Sequence, residues 1–178
     1  MDGSVDKIAP DAGAQASGLL IVWHSRTGAA QAMAEAALAG ALEDDDAAAR
    51  LIRASDAMPG DMLAAAGYLF VCPENLGTMS GEMKEFYDRC YYPLLGRIEG
   101  RGYATAIAAG NAGQGAEAQI DRIATGWRLR RVAPSLIVRL GAETPEAIMA
   151  PKVVPHNELQ RCRDLARSLA TGLQLGIF

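Results

Sequence analysis

GLLIVWHSRTGAAQAMAE, residues 18–35, is the stretch whose reading decides the fold. The run GLLIVW is apolar without alternation, as in a strand covered on both faces. It stops at His24 and gives way to a small polar turn, Ser25-Arg26-Thr27-Gly28. An alanine-rich stretch without a helix breaker follows. Strand, tight turn and helix in this order make a βα unit. Successive backbone N–H groups at a helix N-terminus, aided by the helix dipole, form an anion site. Ser25 and Thr27 add hydroxyl donors, Gly28 lets the backbone turn, and Arg26 adds a cation. The natural guest is a phosphate. Ser and Thr before a helix also serve as plain caps, and the turn alone admits both readings.

Working outward, three more apolar runs of the same kind appear: GYLFVC (67–72), YATAIAA (103–109) and APSLIV (133–138). A fifth, ARLIRA (49–54), carries arginine on both sides of Leu51-Ile52, which an edge strand tolerates. Pro134 also suits an edge. Helical spacing of apolar residues predicts helices over 29–42, 80–92, 115–125 and 158–173, with a short one near 59–65. Ser80 is the expected N-cap of the second of these, and Pro93 its end. Asn157 with Gln160 is the expected cap of the last, and Gly126 the stop before the fifth strand. Strands alternating with helices give right-handed βαβ units. With the two most polar strands at the edges, the fold class is α/β: a three-layer α/β/α sandwich on a five-stranded parallel sheet in the order 2-1-3-4-5. Residues 1–17 read as a mobile leader and 18–178 as a single domain. The segment 140–156, with Pro145, Pro151 and Pro155, reads as irregular chain that wraps the surface or meets a partner.

Composition narrows the function. The 178 residues are half apolar with a net charge of −4, and the pI is near 5.2. Nucleic-acid binding is driven by cation clusters, so no nucleic-acid partner is expected. The one basic cluster, Arg128, Arg130, Arg131 and Arg139, reads as a solvated helix end and edge strand rather than an anchor for a phosphorylated ligand. No apolar run approaches the roughly 20 residues of a membrane span. Cys72, Cys90 and Cys162 form neither a disulfide framework nor a zinc spacing. No metal site and no membrane partner are expected, and the expected compartment is the cytoplasm.

In an open α/β sheet the ligand lies beyond the carboxyl ends of the strands, at the switch point between the first and third strands. Three loops meet there: 24–30, PENLGTMSG at 73–81, and GNAGQGA at 110–116. The second is long for a βα turn, and its amides and carbonyls suit the edge of a flat heterocycle. The third has three glycines and no bulky side chain, which permits close backbone approach by a ligand. There is no G-x-G-x-x-G after the first strand and no G-K-[ST], which excludes a Rossmann dinucleotide site and a P-loop. The turn holds no cysteine, and the third strand ends in Cys72-Pro73 rather than aspartate. A thiolate phosphatase and a phospho-accepting receiver are therefore not expected.

SRTG after the first strand, PENLGTMSGEMKEFYDR after the third and GNAGQGA after the fourth resemble the flavodoxin-like FMN-binding proteins, especially the NAD(P)H-dependent FMN reductase and quinone reductase branch. The resemblance covers about residues 18–140 and the last helix. It implies FMN with its phosphate on Ser25, Arg26, Thr27, Gly28, Ala29 and Ala30. It places the ring against Pro73, Glu74, Asn75, Leu76, Gly77 and Thr78, with Asn111, Gly113 and Gln114 closing the other side. Many relatives carry Asn-Thr at Ala29-Ala30. One hydroxyl donor is absent here, and the Arg26 guanidinium suits phosphate in its place. FMN supplies the redox chemistry, so no catalytic acid or nucleophile is required.

Flavodoxin electron carriers stack aromatic side chains on the ring and are strongly acidic. Neither 73–81 nor 110–116 contains an aromatic residue, and the charge is mild. The expected function is therefore an oxidoreductase passing electrons from NAD(P)H to a quinone, free flavin or similar small-molecule electron acceptor. The alternatives are an electron-transfer protein and a flavin-free binding domain. The family implies a homodimer or homotetramer, in which Tyr91 and Tyr92 would cover a neighbouring subunit's flavin; a helix-end pair without a partner is the plainer reading. His24 reads as a support for the first loop, Cys72 as a small buried residue, and Met83, Phe86 and Tyr87 as core.

Overall fold

The computed structural model describes residues 16–44 and 46–178. Most of the expected leader, 1–15, lies outside the described residues. The apolar runs form β1 (Leu19–Trp23), β3 (Gly67–Asn75) and β5 (Gly102–Ala109), and the arginine-flanked run forms β2 (Ala49–Arg53). They lie parallel in the order β2-β1-β3-β5. A fifth position, beside β5, is shared by β6 (Arg130–Arg131) and β7 (Leu136–Arg139). In terms of parallel positions this is the doubly wound 2-1-3-4-5 arrangement. Two differences have physical causes.

The last strand is split and starts later than the apolar run suggests, because Pro134 has no N–H to give the ladder. Across the gap, side chains replace backbone pairing. The hydroxyl of buried Thr105 meets that of Ser135, and Arg131 donates to Ser135 Oγ at 2.9 Å. Arg131 also pairs with Asp121 and, at 3.1 Å, with Glu117. The second difference is at β3, which runs past the sheet edge and folds back through β4 (Thr78–Met79), antiparallel to it. The two residues of the turn, Leu76 (φ 52°) and Gly77 (φ 74°), both have left-handed backbone, as tight hairpins require. Leucine is an unusual residue for that conformation, so PENLGTM does not read as a hairpin.

Alternation along the strands divides the core. Leu20 and Val22, Tyr68, Phe70 and Cys72, with Tyr103 and Ile107, face α2 (Pro59–Ala64), α3 (Gly81–Leu94) and α4 (Gln114–Gly126). Met83, Phe86 and Tyr87 are buried on that side as expected. Leu19, Ile21, Leu69, Val71, Ala104 and Ala106 face α1 (Ala29–Ala41) and α6 (His156–Gln174). Alanines at 104, 106 and 108, with the alanines of α1, keep this layer thin. Gly40 of α1 lies so close to α6 that a Cβ there would come 2.3 Å from the Arg163 carbonyl oxygen and 2.5 Å from its Cα. Among the described residues, no helix is long and apolar enough to cross a membrane.

The expected caps differ in detail. Ser80 precedes α3, but its side chain caps nothing because it bonds His24 instead. Pro155, not Asn157, holds the N-cap position of α6; Asn157 donates to Glu158 and Gln160 to Asp164. Pro93 falls inside the last turn of α3. Gly126 is the last residue of α4 rather than a stop beyond it, and Arg128 takes the left-handed backbone. Gly126 also leaves room for Tyr91, which stacks on Trp127 at 5.8 Å. Tyr92 remains 79% exposed. The segment 140–156 is not wholly irregular, since it contains a short helix, α5 (Pro145–Met149).

Replacing Gly40 by alanine is expected to lower stability by about 1–3 kcal/mol, since it drives a methyl group into the backbone of α6. Replacing Gly60 in α2, where a Cβ meets nothing within 4 Å, is expected to raise it by about 0.5 kcal/mol. Urea unfolding midpoints of the two variants measure both; a Gly40→Ala variant as stable as wild type contradicts the close α1–α6 crossing.

Candidate functional site

The carboxyl ends of β1, β3, β5 and β7 surround a cleft of about 240 Å³. Its floor is the turn after β1. Ser25 Oγ accepts from the Gly28 N–H at 3.1 Å, which closes the turn, and Gly28 (φ 93°) begins α1 in left-handed backbone. The first helical bond into Gly28 comes from the Ala32 N–H. The N–H groups of Ala29, Ala30 and Gln31 have no acceptor among the described residues. These are the orphan donors of a helix start, and the residues carrying two of them, Ala29 and Ala30, line the cleft. No acidic residue lies in the first turn of α1 to occupy them. Arg26 is exposed, lines the cleft and has no hydrogen bond or ion pair among the described residues.

The second wall is Pro73, Glu74, Asn75 and Leu76 at the end of β3. Leu76, at the hairpin tip, is fully exposed. Glu74 is held from the other side. Its two carboxylate oxygens accept from the N–H groups of Gly113 (2.9 Å) and Ala116 (3.0 Å), at the start of α4. A carboxylate at a helix N-terminus is favourable for the reason a phosphate is. The anion site of α4 is therefore already occupied by the protein's own side chain. The clamp needs close backbone approach: a Cβ at Gly115 would lie 1.9 Å from the Gly77 carbonyl oxygen. Gly113 (φ 107°) packs against Ile137, where a Cβ would come within 2.4 Å of its Cγ2.

This geometry sorts the expected site residues. Ser25, Arg26, Thr27, Ala29 and Ala30 come together with Pro73, Glu74, Asn75 and Leu76 in one cleft. Gly28 shapes its floor without lining it. Gly77 and Thr78 lie beyond the lining, in the hairpin. Asn111, Gly113 and Gln114 are also outside it. Asn111 donates to Glu143 at 3.1 Å, and its carbonyl accepts from Arg139 Nε at 3.0 Å. Gln114, with its amide turned to satisfy both neighbours, accepts from Arg139 at 2.9 Å. The glycines of this loop admit the protein's own backbone and side chains. In place of this loop the wall is made by Ala108, Ala109 and Gly110 of β5 and by Leu140 and Ala142. The basic cluster is also taken internally: Arg128 pairs with Glu99 and Arg131 with Glu117 and Asp121.

Sequence reasoning missed the roof. Ile148 and Met149 of α5 and Lys152 just after it line the cleft. The Lys152 N–H donates to the Thr27 carbonyl at 2.8 Å, which ties the strap to the turn after β1. The signal was present in Thr144-Pro145-Glu146, a residue that caps, a proline suited to the first helical position and an acid in the first turn.

His24 joins two walls. Its Nδ1 lies 2.8 Å from Ser80 Oγ, and its Nε2 faces the Glu82 carboxylate closely, so Nε2 carries the proton and Nδ1 accepts from the hydroxyl. Burial holds its pKa below 6.5; Glu82 opposes this, while Arg53 and Arg26 add to it. Cys72, buried behind Pro73, has its thiol pushed up to about 12 by burial. It is therefore no thiolate nucleophile near neutral pH. No cluster of acidic, histidine or cysteine side chains suited to a metal ion occurs among the described residues.

The folded pKa of His24 lies below its unfolded value, so between the two the unfolded chain binds more protons. The contribution of His24 to stability is complete above pH 6.5 and is lost as pH falls from there through the lower folded pKa. Urea midpoints measured above and below pH 6.5 are expected to fall less in His24→Asn than in wild type; equal falls would remove His24 from the acid sensitivity.

No family model matches the chain. A curated flavodoxin of Aquifex aeolicus (strain VF5) is 29% identical over 157 residues, 85% of this chain and 84% of that protein. Among solved structures, a flavodoxin from the domain Archaea superposes with a TM-score of 0.70 at 18% identity, covering 88% of this chain and 99% of that one. A WrbA-like flavodoxin protein from Agrobacterium tumefaciens gives 0.63 at 20% identity, covering 90% and 99%. Cleft, sheet order and these likenesses agree that the chain has the flavodoxin-like fold, with a flavodoxin among its sequence relatives.

Proposed function

We propose that the cleft binds FMN and that the protein is an FMN-dependent oxidoreductase, passing electrons from NAD(P)H to a quinone, free flavin or similar flat acceptor. The observation that carries this reading is the floor of the cleft: three helix amides and an Arg26 side chain that have no partner among the described residues, at the switch point of a doubly wound sheet. The residues present fit the group. Ser25–Ala30 would hold the phosphate, with Arg26 and the Thr27 hydroxyl supplementing the amides. Pro73, Leu76, Ala108, Ala109, Ile148 and Met149 would give the ring aliphatic walls, with the backbone of 73–78 at its edge. Asn111, Gly113 and Gln114 would support these walls through Glu74 and Arg139 rather than touch the ring. Bound FMN would supply the redox chemistry, exchanging electrons as a hydride or singly at its ring. The protein's part is to hold the ring, fix its orientation and limit water.

No aromatic side chain lines the cleft among the described residues. An uncovered ring face leaves room for nicotinamide or a flat acceptor to stack, which supports the enzyme over the carrier. The likeness to a curated flavodoxin supports the second reading, an electron-transfer protein that does not itself oxidise NAD(P)H. Exposed Tyr92 is the side chain that a homodimer or homotetramer would cover.

Arg26→Ala is expected to weaken FMN binding by roughly 10- to 100-fold, the equivalent of one charge-assisted bond. Riboflavin, which lacks the phosphate, is expected to bind both proteins alike; fluorescence titration measures both. Equal losses for the two flavins would remove the phosphate from 25–30. In anaerobic rapid mixing, NADH or NADPH is expected to bleach the bound flavin, and a quinone to restore its colour. A flavin that neither nucleotide bleaches leaves the carrier as the function.

A further inference from the structure

The strap over the cleft is lightly held. It leaves the body after Leu140 and Gly141, whose N–H groups donate to the carbonyls of Ala109 and Gly110. It rejoins the core at Val154, which is buried. Between these points α5 buries no residue, and Ile148 and Met149 are 51% and 63% exposed. Every hydrogen bond made by residues 144–151 stays within the strap, among the described residues. Thr144 caps α5 by accepting from the Ala147 N–H at 3.2 Å, and Ile148 and Ala150 donate back to Thr144 and Glu146. A five-residue helix without a buried face has little stability of its own.

Lys152 closes this structure. Its ammonium donates to the carbonyls of Ala147, Ile148 (3.1 Å) and Ala150 (2.7 Å), a cation at a helix C-terminus. Its own N–H is on Thr27, inside the turn that would hold a phosphate. Among the described residues, Arg26 and Lys152 are the two cations lining the cleft. The one carboxylate there among the described residues, Glu74, is occupied by amides at the start of α4. Among the described residues nothing else anionic in the cleft wall competes for the Lys152 charge, while its three donors are on neutral carbonyls that a phosphate can outbid.

We propose that residues 140–156 are a lid and that Lys152 is its charge latch: when a phosphate sits on the turn 25–30, one N–H of the ammonium turns to it while the others stay on α5, so the anion draws the lid down. A neutral-carbonyl bond is exchanged for a charge-assisted one without releasing the helix. The lid thereby responds to the phosphate and not to the ring alone, which gives the cleft a preference for phosphorylated flat ligands. The inference rests on the FMN reading for its natural ligand, but the latch itself requires only an anion.

Hydrogen exchange of the amides of 144–152 tests it, measured without ligand, with FMN, with riboflavin and with inorganic phosphate. In wild type, FMN and phosphate are expected to slow exchange there about tenfold, and riboflavin much less. Lys152→Met is expected to abolish the slowing by phosphate and to weaken FMN about tenfold with riboflavin unchanged; Lys152→Arg is expected to retain both effects. Thr144→Val loosens α5 from its other end and keeps the charge, so its exchange is faster without ligand and still slowed by the anion. Equal slowing by FMN and riboflavin, or anion-specific slowing that survives in Lys152→Met, overturns the latch. If the protein binds neither flavin, the FMN reading fails, and the phosphate arm alone decides the latch.

Discussion

The left-handed backbone at Gly28 is the constraint on which the rest of the site depends. Only residues 24–28 separate the end of β1 from the start of α1, so the first amides of the helix emerge at the carboxyl edge of the sheet. A side chain with a Cβ strains this conformation. Ser25 reinforces it by accepting the Gly28 N–H. With that turn fixed, α1 can lie close along the sheet, and its alanines and Gly40 bring α6 against it. A partial positive charge is then delivered at the switch point, with no acidic side chain of the first turn to neutralise it. The cleft is in this sense a consequence of how the first βα unit is packed.

The same physics is used twice, with opposite outcomes. The helix starts of α1 and α4 both follow a strand and both begin at a left-handed glycine. At α4 the Gly113 and Ala116 N–H groups are met from inside by Glu74, which clamps the hairpin after β3 to the loop after β5. At α1 no carboxylate among the described residues takes such a place. One helix N-terminus thus builds the wall and the other is available to a ligand. The contrast explains why the polar floor of the cleft lies on one side only, opposite walls that are mostly aliphatic.

Layer order and sheet topology were legible in the sequence because they depend on runs of apolar residues and on which strands tolerate charge. Leu51-Ile52 between arginines identified one edge. The position of the cleft floor was legible for a similar reason, since a strand, a small polar turn and a breaker-free helix make a βα unit whose turn lies at the carboxyl edge of the sheet. What failed depended on contacts distant in sequence. Ser80 has the composition of a cap but bonds His24, 56 residues away. The glycines of 110–116 look like room for a ligand, yet Gly115 admits the Gly77 carbonyl and Gly113 admits Ile137. Nothing local separates these readings. Pro134 suits the edge position it occupies, but its missing donor also divides the strand. The roof was missed although Thr144-Pro145-Glu146 signals a helix start, because three prolines and a short apolar content made the segment look unstructured.

The proposed FMN site stands on the phosphate being anchored at the open helix start of α1. The most direct measurement is the visible absorption spectrum of the purified protein after FMN is added and the excess removed by gel filtration, with riboflavin treated identically. Flavin absorbance retained at equal stoichiometry with the chain for FMN, and lost for riboflavin, is the expected result. Loss of both would contradict the FMN site, and equal retention of both would contradict the anchoring of its phosphate at residues 25–30.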